Sequence, residues 1–351
     1  MQILPFHGKG YQDCAKRWAF TKRYDRAMQR GVLSGISIFA VLCGGVVAQT
    51  ASEKYQAVQQ AWKAAYSKPW HRVSSYELTA SDGKKLTGAV EETYFSDTER
   101  SLVVTGSVTY QEIRNASGTF ERGAAPPFLL RLALDSLTRL PDVSSDKDLS
   151  LTTGDSLKGA VELQCASLAR KDIKPNAKLG SPEIQYCFDH QDAVLRAVHQ
   201  SVIFTVYNRT GKFRDAYVPL RVETAISNQP VVSVNVQKLE QGIGDKSLLD
   251  IPSGAQKIED EAVVAPVEVK SSKKIPPEYP MMARSSHISG TVVLAVTIDR
   301  DGVVKAVEPV ASPNRLLTDA STEVVKRWQY KGDGLSSRVR TLVIINYSIG
   351  D

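Results

Sequence analysis

Tyr55, Val58 and Trp62 recur at three- and four-residue spacing within Ser52–Ala65, which predicts a short amphipathic helix. The pattern then changes to short alternations of apolar and polar positions. Leu86–Phe95, Leu102–Val108 and Thr109–Ile113 read as strands, and Ser81-Asp82-Gly83 as a hairpin turn. Pro126-Pro127 opens a second predicted helix over Phe128–Leu140, with Leu129, Leu132, Ala133 and Leu137 on one side. Alternation resumes in Leu157–Leu168, Glu183–Phe188, Ala193–Val198, Val202–Tyr207, Tyr217–Ala225 and Val231–Leu239, with turns expected at Asn208–Gly211 and Asn228–Pro230. These features predict one antiparallel β domain with packed helices over residues 52–252.

Residues 253–274 mix both signs of charge with Pro266 and show no apolar period, so they read as a linker. Beyond it, Val292, Leu294, Val296 and Ile298 alternate along a strand, and Asp299-Arg300-Asp301-Gly302 turns the chain into Val303–Val310. Leu316, Leu317, Ala320, Val324 and Trp328 follow at helical spacing, opposite Glu323, Lys326 and Arg327. Val339, Thr341, Val343, Ile345 and Tyr347 point one way along a last strand. The expected fold is therefore α+β: a curved antiparallel sheet domain with packed helices, then a small three-stranded antiparallel sheet with one covering helix (ββαβ) over 275–351. Trp328 is expected to anchor the end of that helix by packing.

Composition changes the picture at the N-terminus. The chain has 351 residues and a formal net charge of +6, but residues 1–30 carry seven basic against two acidic side chains. The remainder is close to neutral, so the body is not a nucleic-acid binder by charge. Residues 1–30 read as a basic cytoplasmic tail, with Met28 as an alternative start. The uncharged run from Gly31 to Ala48 reads as a signal peptide cleaved after Ala48 or as an inner-membrane anchor, within a segment bounded as 31–51. Export to the periplasm is expected either way. Of the four cysteines, Cys14 and Cys43 fall in or before this segment. Cys165 and Cys187 remain on the oxidising side, each in an alternating stretch, and are expected to form a structural disulfide rather than a redox pair or metal site.

The order helix, meander, helix, long meander, ending Leu249-Asp250-Ile251-Pro252, resembles the LolA-like (lipoprotein-carrier-like) periplasmic domains. That resemblance implies an apolar concavity able to hold an acyl chain. The C-terminal stretch carries Tyr279-Pro280-Met281-Met282-Ala283-Arg284, Gly290-Thr291-Val292, Asp299-Arg300-Asp301-Gly302 and Trp328-Gln329-Tyr330. It resembles the C-terminal domain of the TonB energy-transducer family. That likeness implies an open sheet edge to which a partner's extended segment adds as a strand, in an outer-membrane receptor or another envelope protein. Carried over by position, it implicates Pro277, Tyr279 and Pro280 before the core, and Arg338, Arg340 and Leu342 along the last strand. The arginines suit an acidic partner and equally suit protection of the edge by charge. The chain departs from the family in three ways. No histidine lies between Gly31 and Val47, a sheet domain stands where the family has a Pro/Lys/Glu spacer, and Lys331-Gly332 replaces Pro-Ala after Tyr330. These departures bear on energy transduction and leave the binding fold as expected.

Catalysis is not expected. Asp189-His190-Gln191-Asp192 with His199 fits no metal-ligand spacing, and no nucleophile elbow or P-loop is present. No cofactor, no metal and no catalytic residue is expected. The expected function is a periplasmic adaptor that binds a partner segment, possible roles lying in outer-membrane transport; the alternative is a lipid or lipoprotein carrier acting through the middle domain.

Overall fold

The computed structural model describes residues 49–157, 161–172, 179, 183–242, 244–332, 335 and 337–349, all within one compact unit, Ala48–Asp351. The basic tail and the apolar run through Ala48 lie outside the described residues, as do Cys14 and Cys43. No helix among the described residues is long and apolar enough to cross a membrane.

Helix α1 (Ala51–Tyr66) begins at Thr50, whose hydroxyl accepts from the Glu53 amide while the Glu53 carboxylate accepts from the Thr50 amide, a reciprocal cap. Strands β1 (Trp70–Thr79), β2 (Lys85–Ser96), β3 (Glu99–Gly106), β4 (Tyr110–Asn115) and β5 (Gly118–Gly123) form an antiparallel meander. Helix α2 (Phe128–Asp135) follows Pro127 at its N-cap and is shorter than the predicted Phe128–Leu140. Next come β6 (Leu149–Thr153), β7 (Leu163–Arg170), β8 (Ile184–Asp189), β9 (Leu195–Gln200), β10 (Ile203–Phe213), β11 (Ala216–Ile226) and β12 (Gln229–Gln241). The turn expected at Asn208–Gly211 is instead continuous strand with register shifts around Arg209. The chain reverses at Arg214-Asp215, with Arg214 at φ 51°. The later turn sits at Ser227 and Asn228, both at positive φ, one residue before the predicted Asn228–Pro230.

With β13 (Gln256–Ile258) on β5, these strands make one antiparallel sheet of thirteen described strands, ordered β13-β5-β4-β3-β2-β1-β12-β11-β10-β9-β8-β7-β6. β1 and β12 pair at its middle, so the two meanders close on each other through contacts far apart in sequence. One face buries α1 and α2. Tyr55 and Trp62 are almost inaccessible, and their polar ends donate to the carbonyls of Pro141 (2.8 Å) and Tyr217 (2.9 Å). Cys165 and Cys187 are direct cross-strand partners on β7 and β8 and form the expected disulfide. The bond lies in a separate small cluster with Ala197, Leu163 and Phe204.

The stretch 253–274 is not a free linker. It contributes β13, β14 (Glu261–Val263), a 3-10 turn at Pro266–Glu268 and β15 (Ser271–Lys273), and Val267 is fully buried. A short helix α3 (Met281–Ser285) then leads to β16 (Gly290–Ile298), β17 (Val304–Ala311), α4 (Arg315–Val325), β18 (Gln329–Tyr330) and β19 (Arg338–Tyr347). β15 and β18 pair with each other. The predicted three-stranded sheet is four-stranded, ordered β14-β19-β16-β17, because β14 adds to β19 in parallel. At the β16–β17 turn, Gly302 has φ +81°, and a Cβ there would lie 2.1 Å from the Tyr330 carbonyl oxygen, so glycine is required twice over.

Two faces of the small sheet are covered by different partners. Val292, Leu294, Val296, Ile298, Val343 and Ile345 face α4 and pack with Leu317, Val325 and Trp328. The buried stripe of α4 runs through Leu317, Ser321 and Val325, one residue on from the predicted Ala320 and Val324; Ser321 is there because its hydroxyl bonds Tyr347 Oη at 2.8 Å. Val293, Ala295, Leu342 and Ile344 point the other way and belong to the same apolar cluster as α1, α2 and the large sheet. Trp328 is a packing anchor, 2% exposed, with Nε1 donating to the Ile275 carbonyl at 2.8 Å.

Candidate functional site: the outer edge of the last strand

The predicted partner-binding residues separate into two groups at opposite ends of β19. At its C-terminal end, Pro277 and Tyr279 meet Asn346, Tyr347 and Ser348 around a cleft of about 270 Å³, together with Glu278 and Arg284. The Tyr279 ring stands edge-on to Tyr347 at 5.3 Å, and its hydroxyl donates to the Ile288 carbonyl at 2.6 Å. Pro280 is the N-cap of α3, after which Met281 and Met282 stand exposed. Arg338, Arg340 and Leu342 lie at the other end. Residues 340 and 347 are about 23 Å apart along a strand rising ~3.3 Å per residue, so the two groups are not one contact point.

The edge expected to be open carries the chain's own backbone. β14 pairs Glu261 with Arg338, Ala262 with Val339 and Val263 with Arg340. The Arg338 amide donates to the Asp260 carbonyl at 3.1 Å and the Val264 amide to the Arg340 carbonyl at 3.0 Å, bracketing this short ladder. Farther along, Leu179 forms an isolated bridge with Ile345. β14 thus covers three of the ten residues of β19. At the opposite edge of the sheet, β17 carries Pro309, which lacks an N–H, beside Lys305 and Glu308; these are features that discourage strand addition.

Side chains match along the occupied edge. Arg338 reaches Glu259 at 3.0 Å, and Glu259 also meets Arg300 at 3.1 Å. Arg340 reaches Glu308 at 2.8 Å and Glu261 at 3.7 Å, and its guanidinium lies over the Phe128 ring at 5.1 Å. Burial pushes the Glu261 carboxyl above its ordinary pKa, against the pull of Arg340, Arg131 and Arg338. Asp260 is held by the Thr119 hydroxyl and lies 3.8 Å from Arg114. Leu342 is buried in the large core. The arginines are therefore engaged by carboxylates of the same chain, Arg338 by Glu259 and Arg340 chiefly by Glu308 and more distantly by Glu261, and Leu342 is not a surface residue.

Behind this edge lies a partly open pocket of about 100 Å³ between α2 and strands β8–β11, walled mostly by apolar side chains including Ile184, Tyr186, Ile203 and Leu342. Val264, Ala265, Pro266 and Glu268 line it from the former linker. Glu268 pairs with Arg139, which also lies 3.8 Å from Asp135. Burial raises Asp135 to about 6 in spite of Arg139. The cavity is well below the ~300–1,000 Å³ of ordinary ligand pockets.

At the polar cluster Asp189–Asp192, the Lys54 ammonium donates to the carbonyls of Asp189 and His190, both at 2.7 Å. Among the described residues no three His, Cys, Asp or Glu side chains gather as metal ligands would. Sequence reading missed the acidic run Glu259–Glu261 as the occupant of the edge, and Val293, Ala295 and Ile344 as a docking face. The signal for the second was available: Val292–Ile298 is apolar at nearly every position, as strands buried on both faces are.

Residues 275–349 match the family model described as Gram-negative bacterial TonB protein C-terminal. No curated protein matches the chain. Among solved structures, a LolA superfamily protein from Nitrosomonas europaea is 9% identical, covering 57% of this chain and 98% of its own, at a TM-score of 0.39. A DUF1329 family protein from Desulfovibrio piger is 6% identical over 57% of this chain and 98% of its own, at 0.37. A chain of the MucA/MucB complex from Pseudomonas aeruginosa is 13% identical over 65% of this chain and 67% of its own, at 0.29. All three scores lie below 0.5.

Proposed function

We propose that this chain is an exported protein of the bacterial envelope that works in the periplasm as a binding module rather than an enzyme. Its C-terminal sheet recognises an extended segment of another envelope protein, such as an outer-membrane receptor, by adding it as a strand along β19. The match over 275–349 supports the compartment and the class of partner. The observation that carries the binding mode is β14 itself: an extended, acidic segment already lies main chain to main chain on β19, with carboxylates against Arg338 and Arg340. The edge therefore accepts a strand, and the side-chain chemistry it prefers is on display. The N-terminal basic and apolar segment supplies export, with or without retention at the inner membrane.

The test is photo-crosslinking in living cells from a reactive residue placed at Glu308, beside Arg340, or at Tyr279 in the cleft. The expected product joins this chain to an extended segment of one envelope protein and disappears when Arg338 and Arg340 are reversed to Glu. Products confined to cytosolic proteins, or products indifferent to that reversal, would refute the reading.

A second reading, an apolar ligand such as an acyl chain carried by the large sheet, draws support from the apolar cavity beside α2. At about 100 Å³ it must widen before an acyl chain fits. Delipidated protein that takes up no fluorescent fatty acid would remove this option.

A further inference from the structure

We infer that Glu259–Val264 is a built-in competitor for the partner: a tethered segment that occupies the β19 edge until an acidic, extended peptide running parallel to β19 displaces it. This rests on the strand-addition reading of β19 and adds to it the regulation of that edge and the pattern of the segment that fits it.

Three observations converge on this segment. Its hold on β19 is short, three residues in parallel register, whereas the strand it covers has ten. Its side chains from Glu259 to Val264 are only half-buried, apart from the exposed Asp260, unlike the neighbouring Val267, which is fully buried. It is also pinned firmly at both ends. On one side β13 pairs with β5; on the other the Val267 carbonyl accepts from the buried Arg170 at 2.9 Å and Glu268 pairs with Arg139. A segment with strong anchors and a weakly held middle lifts off as a loop and returns without the fold coming apart. Held on short tethers, it faces the edge at an effective concentration on the order of millimolar, so an outside peptide must outcompete it.

The partner's pattern follows from the occupant. An acidic residue opposite Arg338, with a second acidic residue two positions earlier, places carboxylates against Arg338, Arg300 and Arg340. The residue between them offers β19 only its carbonyl, while its side chain, as that of Asp260 here, accepts from the Thr119 hydroxyl on β5. Small and apolar residues then follow, as Ala262-Val263-Val264 do here. A basic segment in the same place would set like charges against these arginines, which is the basis of selectivity.

The experiment uses the full chain and a fluorescein-labelled peptide of residues 259–268. Ala262→Pro removes an N–H from the middle of the ladder without touching β19. A second variant, Glu259→Lys with Glu261→Lys, removes the charge match instead. Both are expected to raise hydrogen exchange across 259–264 and to bind the peptide at least tenfold more tightly than the wild type. Adding Arg338→Glu with Arg340→Glu to either is expected to abolish the gain, and a peptide with Lys at both Glu positions is expected not to bind. Release of the segment with no gain in peptide binding would overturn the inference, as would a gain that survives the arginine reversals. Failure of both variants to release the segment would overturn it too, since neither the ladder nor the ion pairs would then be what holds it. Cross-linking to an envelope partner that is unchanged by these variants would sink the competitor while sparing the proposed function. Peptide capture without any such partner would do the reverse.

Discussion

Cutting the chain at residue 275 tests whether the C-terminal sheet stands alone. Its outward face in such a fragment would be Val293, Ala295, Leu342 and Ile344, each at most 6% exposed in the full chain and buried in the large core. Exposing a fully buried Val, Leu or Ile side chain forfeits about 1.5–3 kcal/mol. Val293, Leu342 and Ile344 together account for roughly 5–9 kcal/mol on that basis, an upper estimate because unfolded chains bury some surface themselves. A whole domain is stable by only about 5–15 kcal/mol. Loss of β14 further strips the β19 edge of its partner. The isolated 275–351 fragment should therefore bind a hydrophobic dye strongly, unfold without a sharp transition, and associate into dimers or larger species on size-exclusion chromatography with light scattering. A monodisperse monomer with cooperative melting and no dye binding would refute the packing argument, and would mean that the small sheet is autonomous and merely rests on the large one.

The other expectations concern what holds the former linker and the large sheet. Arg170 is fully buried and donates to Asp172, Asp146 and the Val267 carbonyl. Arg170→Met should cost about 3–5 kcal/mol, read as a lower midpoint in denaturant melts, together with faster proteolysis within 259–270; an unchanged midpoint would refute it. Replacing Cys165 and Cys187 by Ser opens a loop with a separation of 22 residues; by chain entropy this should cost about 3 kcal/mol, equal to the loss seen on reducing the wild type. Burial alone would push Glu112 up, yet Arg131 and Arg100 hold it down at about 2, so its contribution to stability is present above its unfolded pKa near 4.5 and is lost as pH falls toward 2. Asp135 acts in the opposite sense. Its raised value of about 6 favours the fold when protonated, so that contribution is present below the unfolded pKa near 3.8 and is lost as pH rises through 6. Asp135→Asn should flatten the melting profile between pH 4 and 6, and a profile identical to that of the wild type would contradict the assignment.

Much of the fold was legible along the chain because side-chain period reports local burial. The helix around Tyr55 and Trp62, most of the longer strands (though not Trp70–Thr79 or Leu149–Thr153), the turn at Asp299–Gly302 and the pairing of Cys165 with Cys187 follow from residues close in sequence or from a simple count. Errors of a residue or so arose at α4, where the buried Ser321 hydroxyl is satisfied by Tyr347, and at the Ser227-Asn228 turn, where both residues adopt positive φ without being glycine. Periodicity also marks that a face is covered without saying by what. Val293, Ala295 and Ile344 are apolar whether solvent-shy, dimeric or docked, and tertiary packing alone decided that the large sheet's core covers them. The occupied edge was harder still. An edge is made of backbone N–H and C=O groups, which every non-proline residue carries alike. A three-residue strand such as Glu261–Val263 is too short to show alternation, so its pairing with Arg338–Arg340 emerges only when the chain is folded and the acidic run is brought against the arginines.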